Sequence, residues 1–315
     1  MKIAVVLFNL GGPDSLDAVK PFLRNLFSDP AIITLPTILR WPLARLIAGR
    51  RASKARNIYA QIGGASPILG QTEMQAQALQ EALARDGNSW DQWRCFVCMR
   101  YWHPMTEEVV QQVRDFAPDT IVLLPLYPQY STTTTGSSFT AWDDGVPRLG
   151  TKTHRVKDYP TEPGFIAASV DLVTQGLAAA GGGPKRLLFS AHGLPEKIIK
   201  AGDPYQSQVE QTARAIVERL ANVDWSVCYQ SRVGPLKWIG PPTEAEIHRA
   251  AADKKSIVLY PLSFVSEHSE TLVELDIDYR KLAAEAGVST YVRVPTVGTH
   301  PKFIEGLSRL VRDAL

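Results

Sequence analysis

The chain has 315 residues, 45% of them hydrophobic, and 34 Lys and Arg against 32 Asp and Glu leave a formal net charge of +2. That length can fill the cores of two domains, and so even a charge balance gives no electrostatic footprint for a nucleic-acid partner. Cys95, Cys98 and Cys228 all fall in apolar strand-like runs, which favours reduced, buried thiols over a disulfide framework, and no apolar stretch approaches the roughly 20 residues of a spanning helix.

In chain order, the first apolar run, near residues 3 to 8, reads as a strand ending in the turn Asn9-Leu10-Gly11-Gly12-Pro13. It leads directly into that turn, not into an apolar core and cleavage site, so no secretory signal is expected and the location inferred is cytoplasmic. Residues 34 to 51 mix Leu35, Ile38, Leu39, Trp41, Leu43, Leu46 and Ile47 with Arg40, Arg45, Arg50 and Arg51 and hold no acid. Such a segment suits shallow contact with an anionic membrane, here the inner face of the plasma membrane, or a buried helix whose arginines snorkel. Further strands are predicted near 95 to 99, 120 to 124, 186 to 190, 225 to 229, 256 to 260 and 290 to 294, each running into a polar or glycine-rich loop.

The two halves echo one another. Thr120-Ile121-Val122-Leu123-Leu124-Pro125-Leu126-Tyr127 parallels Ser256-Ile257-Val258-Leu259-Tyr260-Pro261-Leu262-Ser263, and Val97-Cys98 before Arg100 parallels Val227-Cys228 before Ser231. Short β-branched runs alternating with longer helical stretches predict α/β architecture: two similar Rossmann-like domains, each a parallel sheet flanked by helices. We expect a first domain over 1–150, a join within Asp143 to Lys157, and a second domain over 151–300. Carboxyl ends that face one another would leave an active-site cleft between the halves.

Two segments carry chemistry. The run Leu187-Leu188-Phe189 reads as a buried strand that Gly193 and Pro195 must end, which puts His192 at its carboxyl end, where open α/β sheets build sites. A histidine there can exchange protons near neutral pH or ligate a metal; alone, it could equally be a satisfied loop histidine. Downstream, Leu272, Leu275, Tyr279 and Leu282 recur at helical spacing, so a helix should begin near Ser269, with Glu267, Glu270, Glu274 and Asp278 along one face. An acidic stripe is most often solvated surface, yet close carboxylates also raise one another's pKa and offer a hard cation a path. Cys95-x-x-Cys98 stands without a second pair, a weak metal signal.

Taken together, the His192 segment, Gly202-Asp203-Pro204-Tyr205 and His268-Ser269-Glu270-Thr271-Leu272 closely resemble ferrochelatase, which inserts ferrous iron into a porphyrin at the end of haem synthesis. The resemblance extends through Asn9 to Pro13, Arg50-Arg51, Tyr59 with Ile62-Gly63-Gly64-Ala65-Ser66-Pro67, and Arg100-Tyr101-Trp102-His103-Pro104. It continues through Tyr127-Pro128-Gln129-Tyr130-Ser131, Thr134 to Ser138, Gln230-Ser231-Arg232-Val233-Gly234-Pro235 and Trp238-Ile239-Gly240-Pro241. Glu267 stands where the family more often has aspartate.

The resemblance implies a lyase acting on protoporphyrin IX and Fe2+, with His192 and Glu270 as catalytic and metal-binding residues, and it leaves open which of them first takes a pyrrole proton. It implies a supporting proton or metal route through His268, Glu274 and Asp278. It makes Leu10, Tyr59, Tyr127 and Trp238 lining residues of the macrocycle pocket, and Arg50, Arg51, Lys54, Ser66, Arg100 and Ser231 partners for its propionates. Each aromatic could be ordinary core, Lys54 a surface cation, and Arg100 an internal clamp. No organic cofactor is expected, and without a cysteine-rich tail no iron–sulfur cluster. The final helix, within 301–315, is expected to pack back on the first half. Two alternatives stand beside this reading: a chelatase for coproporphyrin or another tetrapyrrole, and a carrier that merely holds haem. A carrier needs one axial ligand and no opposed base.

Overall fold

The computed structural model describes residues 1–86, 90–145, 150–232 and 236–315. Val233, Gly234 and Pro235 of the Gln230 motif, and residues 146–149 of the expected join, lie outside them.

Each half forms a four-stranded parallel sheet. In the first, β1 (Lys2–Asn9), β2 (Gln92–Met99), β3 (Thr120–Pro125) and β4 (Lys152–Arg155) run in the order β2-β1-β3-β4. In the second, β5 (Lys185–His192), β6 (Asp224–Gln230), β7 (Ser256–Pro261) and β8 (Tyr291–Arg293) repeat that order as β6-β5-β7-β8. The sequence echo is therefore an echo of topology: β3 and β7 occupy equivalent places beside the central strands β1 and β5. Both faces of a parallel sheet are covered by helices, so its inner strands need apolar residues at every position. Ile3 to Phe8 and Leu187 to Ala191 are accordingly buried throughout.

One strand had no such signal. Lys152–Arg155 is polar and mostly exposed, and lies in the segment read as the join, yet it pairs with β3 from Thr120↔Lys152 to Leu123↔Arg155. An edge strand needs no apolar alternation, and charged side chains there discourage pairing with another chain.

The chain divides into two compact units, Met1–Asp158 with Leu307–Leu315, and Tyr159–Gly306. In the first, Ala4, Val6 and Phe8 pack with Phe96, Val109, Val113, Phe139 and Trp142, the Phe8 ring lying edge-on, 5.9 Å from both Phe139 and Trp142. In the second, Leu188, Ile257 and Leu259 pack with Ile247, Leu275 and Tyr279. The helix Pro301–Asp313 delivers its last turns to the first unit, where the Arg312 guanidinium donates to the Leu83 carbonyl at 2.9 Å.

All three cysteines are free, and burial pushes each thiol up to about 12. Cys95 and Cys98, three apart on β2, point to opposite faces of the sheet.

Candidate active site

Strand β5 ends on His192, whose register partner is Gln230 at the end of β6. The chain then turns sharply: the Gly193 N–H donates to the Gln230 carbonyl at 2.9 Å. A Cβ on residue 193 would lie 2.8 Å from that oxygen, so only glycine closes the turn. The following residues are clamped to the Trp238 segment, Glu196 N–H donating to Lys237 O at 2.9 Å and Ile239 N–H to Leu194 O at 3.0 Å. The Tyr205 hydroxyl lies 3.0 Å from the His192 carbonyl, and Asp203 fixes Tyr205 by accepting its N–H at 3.0 Å. Gly202-Asp203-Pro204-Tyr205 is thus the clasp that holds the His192 backbone.

Glu270 reaches the same place from the far end of β7. His192 Nδ1 lies 2.9 Å from Glu270 Oε2, an oxygen that also accepts from the Ser231 hydroxyl at 3.2 Å and from Gln230 Nε2 at 3.5 Å. Gln230 is buried, and its own amide oxygen accepts from the Ser190 hydroxyl at 2.7 Å. A carboxylate on Nδ1 fixes the tautomer, so Nε2 is the free lone pair of the neutral ring. Burial opposes charge on both groups, but mutual attraction outweighs it: the Glu270 carboxyl is held well below the usual range and the His192 imidazole above its ordinary value.

The acidic stripe divides in the structure. Residues Glu270–Asp278 form a π-helical segment continued by the α-helix Tyr279–Glu285, and a wide turn of this kind is often found at functional sites. Ser231, at φ +59°, is one of few non-glycine residues in the left-handed region. That backbone turns its N–H to Glu274 Oε1 at 2.9 Å and its hydroxyl to both Glu274 Oε2 and Glu270 Oε2. Burial, then the charge of Glu270, raise the Glu274 pKa above its ordinary value. Asp278, a further four residues on, is exposed.

Glu267 does not continue this line. Its Oε1 accepts from Arg293 Nη1 at 2.6 Å and from the Thr296 N–H at 3.0 Å, so it ties the loop after β7 to β8. The expected face of four acids is in fact Glu270 and Glu274 together, Asp278 outside, and Glu267 turned away, because the chain enters the π-helical segment only after Glu267. His268 is buried, its ring 4.5 Å from Phe264 and its Nδ1 3.2 Å from the Ser266 carbonyl, and burial lowers its pKa.

Trp238 is part-buried, and its indole N–H has no hydrogen-bond partner among the described residues. The remaining candidates lie in the first unit. Leu10 packs against a cluster containing Val19, Phe22, Tyr59 and Tyr101, so Tyr59 is a core residue of that cluster. Ser66 donates its N–H to the Pro13 carbonyl at 2.7 Å, and Tyr127 packs on the first core with its buried hydroxyl near Ser138. The Arg100 guanidinium is held by buried Asp29 at 2.8 Å and by the Ser137 hydroxyl at 2.7 Å, while Asp29 also accepts from Tyr101 at 2.7 Å. Arg50, Arg51 and Lys54 are exposed cations on the helix Thr37–Ala60.

Five participants carried no role in the sequence reading: Gln230, Tyr205, Tyr279, Glu244 and Asp29. Gln230 and Tyr205 stood inside recognised motifs, and their strand-end and clasp positions could have been weighed. Asp29 and Glu244 have no local pattern at all; only the fold brings them to Arg100 and Tyr279.

The ferrochelatase family model matches residues 2–315. The ferrochelatase of Caulobacter vibrioides is 56% identical over 316 residues, covering 100% of this chain and 90% of that protein. That of Phenylobacterium zucineum is 53% identical over 317 residues, covering 100% and 92%. Among solved structures, SirB from Bacillus subtilis with Fe3+ aligns with a TM-score of 0.57 at 13% identity, covering 100% of this chain and 96% of that one, a likeness of fold.

Proposed function

From the membership of this chain in the ferrochelatase family, we propose how its residues insert Fe2+ into protoporphyrin IX. The reaction makes the enzyme a lyase: the porphyrin gives up two pyrrole protons as the divalent metal takes their place. Fe2+ and porphyrin are both substrates.

The observation that carries the assignment is the His192–Glu270 pair. With Nδ1 committed to the carboxylate, Nε2 can accept a pyrrole proton while Glu270 stabilises the imidazolium that results. The Nδ1 hydrogen can then pass to Glu270, so the imidazole takes one proton on Nε2 and hands another on from Nδ1. A neutral imidazole and an oriented carboxylate are also two suitable donors for an incoming metal, whose remaining positions the porphyrin nitrogens fill. Glu274 and the exposed Asp278 extend the path outward. His268, its imidazole disfavoured as a cation by burial, stands as a support for this loop.

For the porphyrin itself we assign contacts with its ring face to Leu10, Tyr127 and Trp238, while Tyr59 lies in the core against which Leu10 packs. The propionates fall to Arg50, Arg51 and Lys54, the cations left exposed, with Ser66. Arg100 is an internal clamp, since Asp29 and Ser137 already occupy its guanidinium; Ser231 serves the carboxylates in place of a propionate.

We assign no organic cofactor and no iron–sulfur cluster: Cys95 and Cys98 face opposite sides of a strand and hold their protons far above neutral pH. Among the described residues no helix is long and apolar enough to cross a membrane. Peripheral contact is supported by the helix Thr37–Ala60, which exposes Ile38, Leu39, Trp41 and Leu46 beside Arg45, Arg50 and Arg51. These apolar groups could take up porphyrin from a bilayer surface.

The deciding experiment is an anaerobic assay of purified protein with Fe2+ and, separately, protoporphyrin and coproporphyrin, following loss of free-base fluorescence. Turnover with preference for protoporphyrin is expected. Preference for coproporphyrin would reassign the substrate, and stoichiometric binding without turnover would make the protein a carrier.

A further inference from the structure

The geometry points to a second way out for protons, leaving the acidic line at Glu274 and reaching solvent through Tyr279 and Glu244; this rests on the His192–Glu270 assignment above. The Tyr279 hydroxyl lies 3.2 Å from Glu274 Oε1 and also 3.2 Å from Glu244 Oε1. A phenol has one hydrogen, and its pKa is driven well above the usual range by burial and then by these two acids. One hydrogen cannot satisfy two carboxylates, so the arrangement is complete only when one of the acids carries a proton and donates it to the phenol oxygen. Glu274 is the acid placed to carry it, being half-buried and sharing the Ser231 hydroxyl with Glu270, whereas Glu244 faces solvent. Glu244 is suited to be the anion, being exposed and in the first turn of the helix Thr243–Ala252, where the helix dipole favours negative charge.

The hydrogen-bonded chain is then unbroken from ring to surface. Protonated Glu270 gives its hydrogen to the Ser231 oxygen as Ser231 gives its own to Glu274 Oε2. Glu274 gives a hydrogen from Oε1 to the Tyr279 oxygen as Tyr279 gives its own to Glu244, which releases it to water. The Ser231 and Tyr279 oxygens each end with one hydrogen, Glu274 stays protonated with its hydrogen moved from Oε1 to Oε2, Glu270 is returned to its anion, and one proton has left; once the two hydroxyls and the Glu274 carboxyl turn back, a second passage clears one porphyrin. Asp278 is not needed for this transfer and makes no hydrogen bond to Glu274, so the line can carry metal past Asp278 while protons leave by Tyr279. Metal and protons, which repel, would then not share one file.

Tyr279→Phe and Glu244→Gln test this, with Asp278→Asn for contrast, in the anaerobic assay with Fe2+ and protoporphyrin at low and high concentrations of a buffer that binds iron weakly, such as MES. We expect both variants to lose kcat by about tenfold, with KM for Fe2+ unchanged and the loss restored by high buffer, since a diffusing base replaces a missing relay. Wild type should not respond to buffer. Unchanged kcat in either variant, or a loss that buffer does not restore, overturns the branch. Should Tyr279→Phe fail to fold, Glu244→Gln decides alone, its side chain being exposed. A wild-type protein that inserts no iron would instead refute the functional assignment itself.

Discussion

Glu270 and Glu274 accept hydrogen bonds from one hydroxyl, that of Ser231. Two half-buried carboxylates that share one hydroxyl do not both ionise easily. His192 breaks the symmetry: its imidazole holds the Glu270 carboxyl well below the usual range, while burial and the charge of Glu270 raise the Glu274 pKa. On the proposed route a metal dication would meet two carboxylates shifted in opposite directions, the one next to the histidine favouring its anion and the one behind it favouring its proton. The site is thereby set to exchange protons for metal charge in small steps.

If His192 is the proton acceptor and a metal donor as proposed, His192→Ala should lower iron insertion by about 10²–10⁴, while protoporphyrin binding, followed by fluorescence titration, stays near wild type. Glu270→Gln keeps the shape and loses the charge that holds the imidazolium, and its loss of kcat should be nearly as great. Substantial turnover by His192→Ala would remove the imidazole from the mechanism.

Metal entry is assigned to the exposed end of the line. Asp278→Asn should raise the apparent KM for Fe2+ more than that for porphyrin, and Glu274→Gln should do the same while also lowering kcat, because Glu274 carries protons as well. Steady-state titration of each substrate separates the two effects. An iron dependence untouched by Asp278→Asn would make that residue merely solvated surface.

How far this was legible differs by residue. Seven of the eight strands announced themselves, because a sheet covered on both faces demands apolar runs such as Ile3 to Phe8; β4, an edge strand of polar residues, had no such demand on it. His192 could be placed because Gly193 and Pro195 must end β5. The acidic line was half legible. Helical spacing grouped four acids, but spacing does not say that Glu267 has left for Arg293 before the helix begins, nor that a π-helical turn opens at Glu270. Tyr279 recurs at helical spacing with Leu275, and its ring does pack in the core beside it. Its hydroxyl belongs to a network that only tertiary structure assembles, through Glu244 on a different helix. Within residues 34 to 51, Leu43 and Ile47 looked equivalent to Trp41, yet both are half-buried, while Trp41 is exposed together with Ile38, Leu39 and Leu46.

His268 gives a pH test. Burial holds its pKa below the ordinary value, so as pH falls through about 6.5 the unfolded chain binds a proton that the folded protein refuses, and stability is lost. His192 has the opposite sign: its raised folded pKa stabilises at low pH and that contribution is lost as pH rises through it. Comparing wild type with His268→Gln cancels the His192 contribution, which both share. The variant should lose less Tm than wild type between pH about 7.5 and about 5.5. Equal losses in a thermal melt would mean that the His268 ring is protonated in the folded protein too.

Membrane contact by residues 34 to 51 can be tested with the side chains that the structure exposes. Ile38 is 81% exposed, Leu39 58%, Trp41 53% and Leu46 48%, and the Arg45 guanidinium lies 5.0 Å from the Trp41 ring. Insertion of such groups at a bilayer surface supplies the apolar energy, and arginines add an attraction that salt screens. Replacing Ile38, Trp41 and Leu46 by serine should therefore weaken sedimentation with anionic liposomes and slow uptake of liposome-bound protoporphyrin, while turnover of detergent-solubilised porphyrin changes less. Because these side chains are exposed, the thermal melt of the triple variant should match wild type; the half-buried Leu43→Ser serves as the control expected to lower it. Undiminished sedimentation of the triple variant would show that this helix does not bind the bilayer.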